Sequence, residues 1–131
     1  MGRNEKELLA KHEELMSRDA AQIAAIKGFG IDLDKERQVE ITFWAPNEAA
    51  AKVLAEACKR NEMPPYLVLG PASPSEANQR WVIRCSFAAT VNFMTAQENL
   101  VTFLLFADKF DCEYDGWGTA IVEVAGLTPV Q

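Results

Sequence analysis

The sequence predicts an α+β fold: a ferredoxin-like βαββαβ sandwich with a four-stranded antiparallel sheet, preceded by an extra N-terminal helix. Three observations predict it. Segments of helical and of alternating periodicity follow one another in the order helix, then β-α-β-β-α-β. The candidate strands keep one apolar and one mixed face, as a sheet covered on one side requires. The 131 residues are 49% apolar and 24% charged, an ordinary globular mixture long enough to bury one core.

The first helix is expected over residues 4–27. Leu8, Leu9, Leu15, Met16, Ile23 and Ile26 recur at helical spacing opposite a charged face. Asn4 is the expected N-cap, with Glu7 as its capping-box partner, and Gly28 and Gly30 end the helix. In QVEITFWA, Val39, Ile41 and Phe43 alternate with Glu40, Thr42 and Trp44, which predicts a strand closed by Pro46. Asn47 then caps a second helix whose buried stripe is Ala50, Val53, Leu54, Ala57 and Cys58. PPYLVLGP reads as a short strand. Its prolines cannot donate to a ladder, so it belongs at an edge. In RWVIRCSFAA, Trp81, Ile83, Cys85 and Phe87 share one face, with Val82, Arg84 and Ser86 on the other. A third helix is expected over residues 92–110, burying Phe93, Leu100, Val101, Leu104 and Phe110. GTAIVEV, residues 118–124, is the last expected strand. The spatial strand order would be 4-1-3-2. The chain reads as a single domain: the helix in residues 1–29, the sandwich in 30–125 and a short tail in 126–131.

Charge and composition narrow the function. Nineteen acids against thirteen bases leave a net charge of −6. Such a surface repels polyanions and suits a basic protein partner. Trp44, Tyr66 and Arg84 would share the open sheet face, as in RNA-recognition modules. No basic stripe or paired-aromatic octapeptide accompanies them, so direct nucleic-acid binding is not expected. The odd cysteines Cys58, Cys85 and Cys112 sit in apolar contexts, which predicts reduced core thiols and a cytoplasmic protein. The charged N-terminus reads as neither a signal peptide nor, with Lys6 at the sixth position, a myristoylation site. No apolar run is long enough for a membrane span.

Catalytic and metal chemistry lack their parts. His12 is the only histidine, and its spacing puts it at the edge of an apolar stripe. Zinc-hydrolase, Ser-His-Asp and phosphate-loop patterns are missing. Asp111, Glu113, Asp115 and Gly116 mimic the start of a calcium loop, but Val122 falls where the bidentate acid belongs. No catalytic residue, metal or cofactor is therefore expected.

Tyr114-Asp115-Gly116-Trp117-Gly118 poses a sharper question. Asp-Gly supports a turn or bulge with positive φ. The flanking glycines leave Trp117 with few local neighbours. It either drops into a pocket and locks the turn to the core, the favoured reading, or projects as a contact surface.

FADKFDCEYDGWGT, residues 106–119, resembles the closing segment of the regulator of ribonuclease E activity B (RraB) family, where EKFDVEYDGWGT is typical. GIDLDKERQVE is similar to that family's lead-in to its first strand, and APNEAAAKVLAEA to its alanine-rich helix. The resemblance runs over residues 30–124. It departs where Ile41 follows Val39-Glu40, a place often held by His. It departs again where AGLTPVQ stands in place of a long acidic tail. The resemblance implies the same αβ sandwich and a non-enzymatic role: binding the endoribonuclease E at an arginine-rich region and restraining its cleavage of RNA. On that reading Asp108, Asp111, Glu113, Asp115 and Trp117 form the expected protein-binding patch, the acids attracting basic side chains. The alternative is a homo-oligomeric module assembled through the open sheet face or the first helix.

Overall fold

A computed structural model describes residues 5–71 and 80–119. Its elements are α1 (Glu5–Gly28), β1 (Arg37–Ala45), α2 (Glu48–Arg60), β2 (Pro65–Leu69), β3 (Trp81–Ala89), α3 (Val91–Thr95), α4 (Gln97–Lys109) and β4 (Glu113–Thr119). The four strands form one antiparallel sheet in the order β2-β3-β1-β4, the order expected of a ferredoxin-like sandwich. The proline-flanked strand β2 lies at an edge, as its missing N–H donors require.

Strand alternation builds the core. Val39, Ile41, Phe43 and Ala45 of β1 are buried beside Ile83 and Cys85 of β3. Leu54, Ala57 and Cys58 of α2 and Leu100, Leu104 and Ala107 of α4 close over them. Phe103 stacks on Tyr114 with centroids 5.0 Å apart, and Tyr114 meets Phe43 at 5.6 Å. Asn47 caps α2 as expected, its side chain accepting from the Ala50 N–H at 2.9 Å. The three thiols are buried and unpaired. Burial pushes the Cys112 thiol up to about 12, which keeps it protonated and inert.

Several elements differ from their expected form. The helix expected over residues 92–110 breaks at Ala96, whose ψ of 131° is extended. Thr90 caps the short α3 by accepting from the Phe93 N–H. Asn99 donates to the Phe93 carbonyl that the break releases. The interruption shifts the helical phase, so Val91 and Met94 are buried and Phe93 is exposed. In α2, Val53 is exposed because the buried row runs through Ala51, Leu54, Ala57 and Cys58. The last strand begins at Glu113, five residues before the expected start, and so includes the Asp-Gly step. The expected strand residues 120–124 and the expected N-cap Asn4 lie outside the described residues.

Helix α1 departs furthest. Its buried row is Lys11, Leu15, Asp19 and Ile26, while Leu9 and Met16 are exposed. The reason is what α1 covers. It packs beside α4 and α3 and reaches with its side chains over the outer edge of β4, whose free carbonyls need donors as well as apolar cover. Arg18 Nη2 donates to the Asp115 carbonyl at 3.1 Å, and Gln22 Nε2 donates to the Trp117 carbonyl at 3.2 Å. A helix serving a sheet edge carries polar residues on its buried face.

Candidate functional site

The site is built around a β-bulge. Tyr114 lies opposite Phe43, and Trp117 lies opposite Ile41, so Asp115 and Gly116 together face the single residue Thr42. Gly116 takes φ +102°, a left-handed value that favours glycine. An added Cβ there would meet Leu15 Cδ2 at 3.5 Å. The extra residue reverses the strand's alternation. Trp117 lies three steps after Tyr114, so in a regular strand without the bulge it would face away from the core. With it, both rings turn inward.

Trp117 is only 8% exposed, and its indole N–H donates to Asp19 Oδ1 at 2.8 Å. Of the two expected roles, the anchor that locks the turn is the one its position fills. Asp19 is buried in turn, and its Oδ2 has no partner, like the phenolic oxygen of Tyr114. Burial pushes the Asp19 carboxyl up. The Trp117 N–H and the Arg18 charge pull the other way and only partly offset it. Burial likewise raises the Tyr114 phenol, with the Asp19 charge adding to it.

A raised aspartate favours the fold below its unfolded value of 3.8, and that contribution is lost as pH rises through the folded pKa. Ionised Asp19 therefore opposes folding at neutral pH. Asp19→Asn keeps an acceptor for Trp117 and removes the charge. It is expected to stabilise the protein by about 1 kcal/mol at pH 7, with the gain vanishing in acid. Urea unfolding of both proteins at pH 7 and at pH 3.5 checks this; a less stable variant at pH 7 would refute it.

On the open side of the bulge, charges converge. Asp115 Oδ1 accepts from Lys11 Nζ at 2.9 Å and Arg18 Nη2 at 3.0 Å, and its Oδ2 accepts from the Trp44 indole N–H at 3.1 Å. Glu113 pairs with Lys11 at 3.0 Å and Arg80 at 3.7 Å. Glu14 completes the cluster at 3.4 Å from Lys11 and 3.5 Å from Arg18. The Arg80 guanidinium also lies over the Trp44 ring, 4.6 Å from its centroid. Three carboxylates thus meet three cations.

Lys11 is only 7% exposed. Burial pulls its ammonium down, but the bonds and charges of Asp115 and Glu113 outweigh that and hold it above its ordinary value. Burial pulls the Asp115 carboxyl up, and the bonds from Lys11, Trp44 and Arg18 outweigh it and hold it below the ordinary aspartate value.

The expected patch is therefore split by its surroundings. Glu113 and Asp115 lie together on the open side of β4, engaged with α1. Trp117 lies beneath them. Asp111 is exposed at the α4–β4 turn with φ 63°, and Asp108 sits on the last turn of α4. Where a calcium loop would run, residues 113–119 form a strand. Among the described residues, no group of three His, Cys, Asp or Glu side chains is arranged to hold a metal ion.

Sequence reasoning missed Lys11, Arg18, Asp19 and Arg80. The signal for Lys11 and Asp19 was present: residues 11, 15, 19, 22 and 26 form one row at steps of three and four, and Arg18 stands beside it. Apolar periodicity alone passes over such a row, because three of its five residues are polar.

No helix among the described residues is long and apolar enough to cross a membrane. A comparison with curated proteins gives no match. The sequence model of the family described as regulator of ribonuclease activity B matches residues 17–119, which contain the bulge and its acids. This chain belongs to the RraB family, regulator of ribonuclease activity B.

Proposed function

We propose that this protein binds ribonuclease E and restrains its cleavage of RNA, by contact alone and in the cytoplasm, where its buried thiols stay reduced. The observation that carries the reading is the family match: it spans the α4–β4 segment that carries Asp108, Asp111, Glu113 and Asp115. Trp117 serves this patch from below, fixing the bulge that holds Asp115 at the surface. Asp111 meets solvent directly. Glu113 and Asp115 offer carboxylates that arginines of a partner reach by exchange with Lys11, Arg18 and Arg80. The net charge of −6 speeds encounter with a basic segment and selects against acidic ones.

Titration of ribonuclease E with the wild type and with Asp108→Lys/Asp111→Lys tests the reading. The double variant is expected to bind about tenfold more weakly, with a shallower salt dependence. Wild-type affinity in the double variant would remove the patch. Affinity that ignores salt would remove the electrostatic mechanism, and no binding by the wild type would remove the partner.

A further inference from the structure

Two exposed leucines border one groove from different helices. Leu9 of α1 is 59% exposed and Leu105 of α4 is 54% exposed. The groove holds about 350 Å³ and is lined by Leu8, Leu9, His12, Val101, Leu104 and Leu105, with Glu5 and Gln97 completing it. It follows from how α1 docks. The buried row of α1 begins at Lys11 and serves β4, so Leu9 in the turn before it is left open to solvent.

We propose that this α1–α4 groove seats a helical segment of the regulated partner, apolar along one stripe and basic on its flanks. The inference rests on the protein-binding reading above and adds to it a place and a shape. A furrow between two helices presents the ridges against which a third helix packs. Residues 5–12 of α1 span about 10 Å, two turns, enough for anchors at i, i+3 or i+4, and i+7.

The charge around the groove selects the occupant. Among the described residues its lining holds Glu5 and no Lys or Arg. Within one turn of the lining, the exposed acids Glu13 and Glu98 stand with the exposed bases Lys6 and Lys109, so Glu5 in the lining leaves the rim with a net negative charge. A second copy of this chain would set these acids against their own counterparts, on a chain already at −6. A cationic amphipathic helix meets opposite charge on the rim and apolar surface in the middle.

The full chain, isotope-labelled, is titrated with a peptide of leucine and lysine at helical spacing, and with oligolysine of equal charge. The amphipathic peptide is expected to shift the amides of residues 5–12 and 97–105, which oligolysine leaves in place. Leu9→Glu/Leu105→Glu is expected to weaken the peptide at least tenfold. Leu69→Glu, at an equally exposed leucine on β2, is expected to change it less than twofold. The same three proteins are then titrated with ribonuclease E, and the groove variant is expected to lose at least tenfold in affinity. If that variant holds ribonuclease E as the wild type does, the groove is not the seat, and the proposed function survives. If the wild type ignores ribonuclease E but takes the peptide in the groove, the proposed function falls, and the groove keeps its ligand class. Peptide shifts elsewhere, or concentration-dependent self-association that Leu9→Glu/Leu105→Glu abolishes, would overturn the proposal.

Discussion

Trp117→Ala is expected to lower the unfolding free energy by about 3–5 kcal/mol. Two losses combine. The indole is buried between β4 and α1, and its removal leaves a cavity there. It also supplies the hydrogen bond that Asp19 receives at 2.8 Å. Without it, a buried carboxylate is left with neither oxygen bonded, since Asp19 Oδ2 already lacks a partner. Trp117→Phe narrows the division between the two contributions, because it keeps an aromatic ring at the site while removing the N–H and part of the indole. It is expected to cost about 1–3 kcal/mol, consistent with one orphaned group. Urea unfolding of the three proteins measures both values, provided the slopes agree. A loss below about 1 kcal/mol for Trp117→Ala would mean that the ring is dispensable and that the bulge is held by something else.

Asp115→Ala is expected to cost about 2–4 kcal/mol at neutral pH. Asp115 accepts from three donors that arrive from two different elements: Lys11 and Arg18 from α1 and Trp44 from β1. Its removal leaves the buried Lys11 ammonium with Glu113 and the more exposed Glu14. The pH dependence identifies the interaction. The folded Asp115 carboxyl is held below its ordinary 3.8, so its contribution is complete above that value and is lost as pH falls through the folded pKa. Lys11 is held above its ordinary 10.5, so its contribution is complete below that value and is lost as pH rises beyond the folded pKa. The stability gap between wild type and Asp115→Ala is therefore expected to be flat from pH 5 to 9 and to close in strong acid. A gap that persists unchanged below pH 2 would show that the loss comes from packing and not from charge.

The same residues show how much of the molecule was legible beforehand. Strand alternation in QVEITFWA and RWVIRCSFAA, the proline-flanked edge strand and the Asn47 cap depend on near neighbours, and the structure agrees with each. Asp-Gly was legible as a turn or bulge with positive φ, because glycine lacks the side chain that such a backbone disfavours. The break at Ala96 was not legible. Ala is a good helix former, and the interruption depends on the Thr90 cap and on Asn99 reaching back to Phe93. The acidic patch was legible as composition but not as a circuit, since the cations that neutralise Glu113 and Asp115 lie about 30 to 100 residues away in sequence.

What the sequence determined by itself is the order and the type of most elements, the edge position of β2 and the presence of a special backbone step at Gly116. Each is set by steric preference and periodicity acting over a few residues. Only the tertiary structure decided which way Trp117 faces, which cations hold Asp115 and which side of α1 is buried. Those outcomes depend on the free carbonyls of β4 finding donors on a helix almost a hundred positions earlier. Hydrogen-bond demand at a sheet edge is a property of the assembled strands and has no local signature in the chain.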